Sequence, residues 1–252
     1  MEVAQGDPSS ALKSYRESLA IRERLADPAD AGRRRDLSVS WGKIGEVQRA
    51  QGDYGGARAS YEKAADEGDA SAMNNLGALY EHGLSVAQDF EIARAWYEKA
   101  AEAGDTVAMR NLGALSMFDR AGPQDFAKAR QWFEKAAGKG DVIAARYLGF
   151  LYANGYGVRQ DYAKAREWFE TAADKGDARA MRNLGAFYDN GYGVAKDAIK
   201  ARELYQRAAE KGEATAIAIL QQLPVRDAVA AGHYVEALRL QDDLAAKAER
   251  PR

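Results

Sequence analysis

The chain has 252 residues, with 36 Lys and Arg against 38 Asp and Glu, two His and no Cys. A net charge of −2 gives no global electrostatic case for nucleic acid or an acidic membrane surface. The lack of cysteine excludes a disulfide framework, a thiolate metal site and a cysteine nucleophile. No stretch approaches the roughly 18 consecutive apolar residues of a membrane span. The opening MEVAQGDPSS has neither the basic start nor the apolar run of a signal peptide, so a cytoplasmic address is expected.

In chain order, residues 7–26 read as a helix, with Asp7 as N-cap and Pro8 at the first helical position. Leu12, Tyr15, Leu19, Ile21 and Leu25 form its apolar face. Asp27-Pro28 and Gly32 are expected to break it, leaving Arg33-Arg34-Arg35 in or beside a solvated connection. A second helix is expected over about 36–50, with Leu37, Trp41, Ile44 and Val47 on one stripe. Gly52-Asp53 then turns the chain into a partner helix over about 54–67. The pattern Gly-Asp-x-x-x-Ala-x-x-x-Tyr occurs from Gly6 to Tyr15 and again from Gly52 to Tyr61. It resembles the turn and second helix of a tetratricopeptide hairpin, which makes residues 1–67 a tetratricopeptide-like region. Its first repeat lacks a front: Glu2 to Asp7 matches the end of Glu46 to Asp53, as in a piece cut from a longer protein.

From residue 68 to 212 the chain rewrites itself every 36 residues. Gly68, Gly104, Gly140, Gly176 and Gly212 mark the period, as do Leu76-Gly77, Leu112-Gly113, Leu148-Gly149 and Leu184-Gly185. Self-similarity at this period signals stacked supersecondary units. Each unit reads as helix, glycine-rich turn and helix. Asp69, Asp105, Asp141 and Asp177 follow a helix-ending glycine and suit N-caps. Glycine inside a helix costs about 1 kcal/mol relative to alanine. Its recurrence at 77, 113, 149 and 185 therefore implies close approach by a neighbouring helix, whose Ala100-Ala101, Ala136-Ala137, Ala172-Ala173 and Ala208-Ala209 are also small. Trp96-Tyr97, Trp132-Phe133, Trp168-Phe169 and Leu204-Tyr205 are expected to fill the space between hairpins.

The motif Leu-Gly-x-x-Tyr-x-x-Gly-x-Gly-Val, then Asp, Lys-Ala-x-x-Trp-Phe and Ala-Ala-x-x-Gly, resembles the Sel-1-like repeat. The copies from Leu148 and Leu184 match nearly throughout. Ser85 replaces a turn glycine in the first copy, and Phe118-Asp119-Arg120-Ala121-Gly122-Pro123 replaces Gly-x-Gly-Val in the second, at equal length. The resemblance implies an all-α fold, a right-handed α-solenoid of stacked antiparallel helix pairs. Beyond Gly212 the pattern weakens, and Pro224 is expected to interrupt or kink a helix that begins near 213. Residues 213–252 are read as C-terminal capping helices, ending near Glu249.

Constellations for chemistry are sparse, and no catalytic residue, metal ligand or cofactor is assigned. His82 and His233 lie far apart near turns. Gly155-Tyr156-Gly157-Val158 and Gly191-Tyr192-Gly193-Val194 follow helices, lack a Lys-Ser/Thr pair and recur with the period, so they are turns rather than phosphate loops. One polar series stands out. Asn74, Arg110, Arg146 and Arg182 precede each Leu-Gly by two residues, and Asn75, Asn111, Tyr147 and Asn183 by one. The resemblance implies that first helices line a concave groove. There the guanidiniums suit carboxylates, and the amides suit a peptide backbone. Val107, Ile143, Phe150, Met117 and Phe118 are candidates for apolar pockets beside them. A solvated face with intra-repeat ion pairs is the competing reading. The expected function is a non-catalytic adaptor for a protein or peptide partner bearing acidic groups, with self-association through the N-terminal end. The alternative is a regulatory or sensor array of a larger enzyme or signalling protein.

Overall fold

The computed structural model describes residues 8–24, 31–118 and 122–248. Among them every regular element is a helix. The expected Asp7 cap, the Asp27-Pro28 break, the passage from Glu2 to Asp7, turn residues 119–121 and Glu249 lie outside this range.

The chain divides into two units at Asp141. The first holds α1 (Pro8–Arg24), α2 (Ala31–Ala50), α3 (Tyr54–Asp66), α4 (Ala70–His82), α5 (Phe90–Glu102), α6 (Thr106–Met117) and α7 (Phe126–Gly138). Here α2/α3, α4/α5 and α6/α7 are hairpins, α3 packs on α4, α5 on α6, and α1 on α2. The second unit holds α8 (Val142–Asn154), α9 (Tyr162–Asp174), α10 (Ala178–Asn190), α11 (Ala198–Glu210), α12 (Ala214–Ala230) and α13 (Tyr234–Ala248). Its hairpins are α8/α9, α10/α11 and α12/α13, joined by α9 on α10 and α11 on α12. The fold is an all-α solenoid type built from stacked antiparallel helix pairs.

Carboxylates set the helix starts. The side chains of Asp53, Asp69, Asp89, Asp105, Asp125, Asp161, Asp177 and Asp197 each accept from the amide three residues on, at 2.7–3.0 Å. Glu213 does the same for Ala216 at 2.6 Å. These bonds satisfy amides that have no partner inside the helix. The long turns close on a common backbone bond: Asp89, Asp161 and Asp197 donate to the carbonyls of Tyr80, Tyr152 and Tyr188 at 2.9–3.0 Å. Asp125 donates to Ser116 at 2.8 Å, so the divergent second copy keeps its hairpin. Gln88, Gln124 and Gln160 brace the same turns by donating to the carbonyls of Glu81, Met117 and Ala153. Ser85 takes the left-handed backbone (φ 61°) that Gly157 and Gly193 adopt in the later copies.

The core of each hairpin is a glycine of the first helix pressed on an aromatic ring of the second. A Cβ on Gly45, Gly77, Gly113, Gly149 or Gly185 would sit 2.5–2.7 Å from the ring of Tyr61, Tyr97, Phe133, Phe169 or Tyr205 respectively. Close approach explains the glycine, but its partner is this ring rather than the alanine pair. The rings fill the hairpin interior and are buried. Trp96, Trp132 and Trp168 are only half-buried, and Lys99 and Lys135 lie over the Trp96 and Trp132 rings at 4.4 and 4.1 Å.

Two further expectations are revised. Helix α2 begins at Ala31, so Gly32 and Arg33-Arg34-Arg35 belong to its first turns rather than to a connection. The roughly 1 kcal/mol that glycine costs relative to alanine does not stop this 20-residue helix from starting there. Helix α12 runs through Pro224 to Ala230, so of the expected interruption or kink the interruption does not occur. Pro224 is exposed, and the helix continues although proline donates no bond to the preceding turn.

Two of the three buried core phenols lie beside an acid. The Tyr97 hydroxyl donates to Glu81 Oε2 at 2.7 Å, and Tyr205 faces the charge of Asp189. Where the ring is Phe133 or Phe169, the matching position holds Met117 or Ala153. Burial first, and the neighbouring carboxylate second, raise both phenols above the ordinary value of 10, Tyr205 to about 12 and Tyr97 further.

Gly149→Ala is expected to destabilise the fold by roughly 1–3 kcal/mol through overpacking, despite the propensity gain of about 1 kcal/mol. Phe169→Leu in the same chain should recover part of that loss. Urea unfolding measures both, and a stabilised Gly149→Ala would show that the ring can retreat. A second expectation concerns alkaline pH. A phenol raised in the folded state leaves stability intact below pH 10 and erodes it above, because the unfolded chain ionises first. The Tyr205 contribution fades between pH 10 and about 12, and that of Tyr97 continues higher. Tyr97→Phe should therefore flatten the alkaline fall in melting temperature, and an unchanged slope would assign the fall to other groups.

Candidate functional site

All eight candidate residues lie half-buried on first helices. Asn74 and Asn75 are on α4, Arg110 and Asn111 on α6, Arg146 and Tyr147 on α8, and Arg182 and Asn183 on α10. The first four belong to the first unit and the last four to the second.

The arginines turn out to have a shared structural task. Arg110 Nη1 contacts Asp141 Oδ2 at 3.0 Å, Arg146 Nε contacts Asp177 Oδ2 at 3.2 Å, and Arg182 Nε lies 3.6 Å from Glu213 Oε2. In every case the acid stands 31 residues on, at the position that opens the following repeat. Asp177 also caps α10 through its other oxygen, whereas the Glu213 Oε2 nearest Arg182 is itself the oxygen that caps α12. The pairs therefore cross from one repeat to the next and are not the intra-repeat pairs of a solvated face. The Arg146–Asp177 pair is the most enclosed, with side chains 13% and 12% exposed. Its guanidinium also lies over Tyr147, 4.9 Å from the ring centre. One repeat before Arg110, where the series has Asn74, amides make the crossing, since Asn111 Nδ2 donates to Asn74 Oδ1 at 3.0 Å. Asn75 borders a small hollow of about 200 Å³ with Val39, Lys43, Glu46 and Ser71.

The second unit has an open cleft of about 620 Å³ beside these pairs. Ile143, Arg146, Asp177, Arg179, Lys211 and Thr215 are among its walls. Both of its carboxylates, Asp177 and Glu213, are already held by arginine. Arg179 and Lys211 are exposed, and neither forms an ion pair with a carboxylate of the described residues. The cleft thus presents two uncompensated cations beside the partly exposed Ile143 side chain. Sequence reading missed Arg179 because it does not recur with the period, position 179 being Ser71, Val107 and Ile143 in the earlier copies, and Lys211 because it does recur, as Lys139 and Lys175, in a helix-ending turn. Of the proposed apolar positions, Val107, Phe118, Ile143 and Phe150 are exposed, whereas Met117 is buried.

A second arginine series also escaped notice. Arg58, Arg94, Arg130, Arg166 and Arg202 recur on the second helices. Each pairs with a carboxylate: Glu62, Glu91, Glu134, Glu170 and Asp227. Among the described residues no group of three or more His, Cys, Asp or Glu could hold a metal ion, and no helix is long and apolar enough to cross a membrane.

Arg146→Ala is expected to lower stability by roughly 1–3 kcal/mol, between the limits for surface and buried pairs, because Asp177 stays enclosed without its counter-charge. Thermal unfolding would show the loss. No change would mean that the cap bond alone satisfies Asp177.

The Sel1 repeat family matches residues 45–69, 70–105, 106–141, 142–177 and 178–213. Its first match falls on the α2/α3 hairpin read above as tetratricopeptide-like. A Sel1 repeat protein from Oxalobacter formigenes is 31% identical, with TM-score 0.67, covering 79% of this chain and 84% of that one. A Sel1 repeat protein from Klebsiella pneumoniae is 26% identical over 75% of this chain and 93% of its own, with TM-score 0.51. A protective antigen of uropathogenic Escherichia coli with the same repeat fold is 24% identical, with TM-score 0.67; the match covers 91% of this chain but 56% of the antigen. No curated protein matches the chain. Sel1 repeat arrays generally mediate protein–protein interaction and are typically non-catalytic scaffolds. By its repeats and its fold, the chain belongs to the Sel1 repeat family.

Proposed function

We propose that the chain is a non-catalytic adaptor whose first-helix face holds a protein or peptide partner through acidic groups. The carrying observation is the second-unit cleft, where Arg179 and Lys211 stand uncompensated beside Ile143. An extended segment with a carboxylate or two supplies the missing charge, and an aliphatic side chain covers the isoleucine. Arg146 and Arg182 frame this site and hold its walls, since each spends part of its guanidinium on the next repeat. Each guanidinium has five N–H donors, which leaves donors on the same groups for a partner. Asn183 and Tyr147 flank them. In the first unit, Asn74, Asn75, Arg110 and Asn111 form the corresponding surface, with Val107 and Phe118 exposed nearby. Self-association at the N-terminal end rests on Tyr15 and Ile21, both exposed on α1. A cysteine-free chain of this kind works unchanged in a reducing cytoplasm.

Reversing Arg110, Arg146 and Arg182 would confound binding with loss of the inter-repeat pairs. Arg179→Glu with Lys211→Glu avoids this, because neither side chain holds the fold together. Peptides selected from a random display library on the wild-type chain should be rich in Asp and Glu. Their affinity should fall at least tenfold, about 1.4 kcal/mol, in the double variant at unchanged melting temperature. Selected peptides that bind both proteins equally would place the recognition surface elsewhere.

A further inference from the structure

The α6/α7 hairpin lacks two side chains that the other copies carry. Position 116 holds serine where they have Tyr80, Tyr152 and Tyr188, and position 122 holds glycine where they have Val86, Val158 and Val194. In the two later copies the tyrosine is buried. A lysine of the second helix lies over each ring, Lys164 at 5.4 Å from the centre of Tyr152 and Lys200 at 4.2 Å from that of Tyr188. The α6/α7 hairpin keeps the lysine, as Lys128, but not the ring. Its Ser116 hydroxyl turns back to donate to the carbonyl of Leu112 at 2.9 Å. A Cβ on Gly122 would meet no described atom within 4 Å. What remains is a pocket of about 180 Å³, walled by Leu112, Leu115, Ser116, Pro123, Lys128 and Arg94 of α5. Leu112 and Leu115 are buried. Lys128 is exposed, and its ammonium has no ion pair or ring contact among the described residues.

We propose that this pocket binds the side chain of a tyrosine presented by a partner protein, which supplies in trans the ring that position 116 lacks. The later copies identify the occupant, because their own chain puts a phenol ring under the lysine that Lys128 matches. The apolar lining is retained as well, since Leu112 and Leu115 stand where the next copy has Leu148 and Leu151. The size agrees. A cavity of about 150 Å³ lined by apolar side chains takes up benzene, and this pocket has room for a hydroxyl besides. Lys128 then lies over the ring as Lys200 does over Tyr188, where a cation is attracted by the electron-rich face. Arrays of this family generally mediate protein–protein interaction, so the ring is assigned to a protein. That assignment rests on the adaptor reading, whereas the pocket itself does not. The pocket lies in the first unit and the cleft at Arg179 and Lys211 in the second, so the failure of either site leaves the other standing.

The probes are p-cresol, which is the tyrosine side chain alone, and N-acetyl-tyrosine amide, which adds the flanking peptide groups. Both should saturate the wild-type chain with dissociation constants of about 1 mM, as expected of ligands this small. Both should shift the methyl NMR signals of Leu112 and Leu115. Ser116→Tyr restores the ring of the other copies, so it should raise the melting temperature and abolish the binding of both probes. Lys128→Ala should weaken them by roughly two- to fivefold at unchanged melting temperature. Failure of p-cresol to saturate, or shifts confined to methyls away from the pocket, overturns the inference. So does a Ser116→Tyr chain that binds the probes as the wild type does. A Ser116→Tyr chain that melts lower also overturns it, since a pocket shaped for the ring accepts the ring. Saturation by p-cresol without binding of N-acetyl-tyrosine amide would make this a site for free phenols and overturn its assignment to a partner's tyrosine.

Discussion

The contact on which the array depends is that between a helix glycine and the ring of its partner helix. It recurs five times, with three tyrosines and two phenylalanines. It brings the two helix backbones of a hairpin close enough for the Gly77 and Gly185 positions to lie near the carbonyls of Ala93 and Ala201. The propensity cost of an internal glycine is about 1 kcal/mol, whereas deleting a buried aromatic costs roughly 3–5 kcal/mol. The exchange is favourable wherever the ring is enclosed. It also tolerates a change of turn. In α2/α3 the glycine and ring are 16 residues apart and in the other hairpins 20, yet the contact is the same. This is why a hairpin with a tetratricopeptide-like turn and the longer-turned hairpins stack in one kind of fold.

A buried ring that is a tyrosine raises a second constraint, because its hydroxyl must be satisfied. The chain answers this locally in two repeats. Glu81 accepts from Tyr97, and Asp189 lies near Tyr205 while Arg226 of α12 grips that same aspartate with two bonds of 3.0 and 3.1 Å. In the two phenylalanine repeats the acid is absent. Tyr61 is the exception, since its matching position is Arg49, so the acid accompanies the hydroxyl in two of the three tyrosine hairpins.

The period made the helices, turns, caps and core glycines legible, since all of these recur at 36 residues. The partner of the glycine was less legible. Two adjacent residues, such as Trp96 and Tyr97, both look like core, and only the helix phase in the folded hairpin decides that Tyr97 points inward. Gly32 and Pro224 misled for a related reason. Both are breakers by type, but one lies in the first turn of a long helix and the other on an exposed helix surface, and neither stops its helix. The arginine series was visible, but its task was not. Its acids stand 31 residues away, and a separation that differs from the period escapes any comparison of equivalent positions. Arg179 of the cleft escaped for the opposite reason, because it matters by not being matched in the neighbouring copies.

That contrast separates architecture from recognition in a repeat protein. Whatever recurs in every copy is needed to stack one copy on the next, as the Arg146–Asp177 and Arg182–Glu213 pairs illustrate. A side chain spent on the next repeat has only its remaining hydrogen-bonding capacity to offer a partner. Residues that depart from the consensus while remaining on the surface carry no such obligation. By this criterion the informative positions are Arg179 where its equivalents are Ser71, Val107 and Ile143, and Leu238 where its equivalents are arginine. One departure adds charge beside an exposed aliphatic side chain, and the other removes charge beside a tyrosine and a valine. They mark two surfaces of different chemistry, one cationic and one apolar.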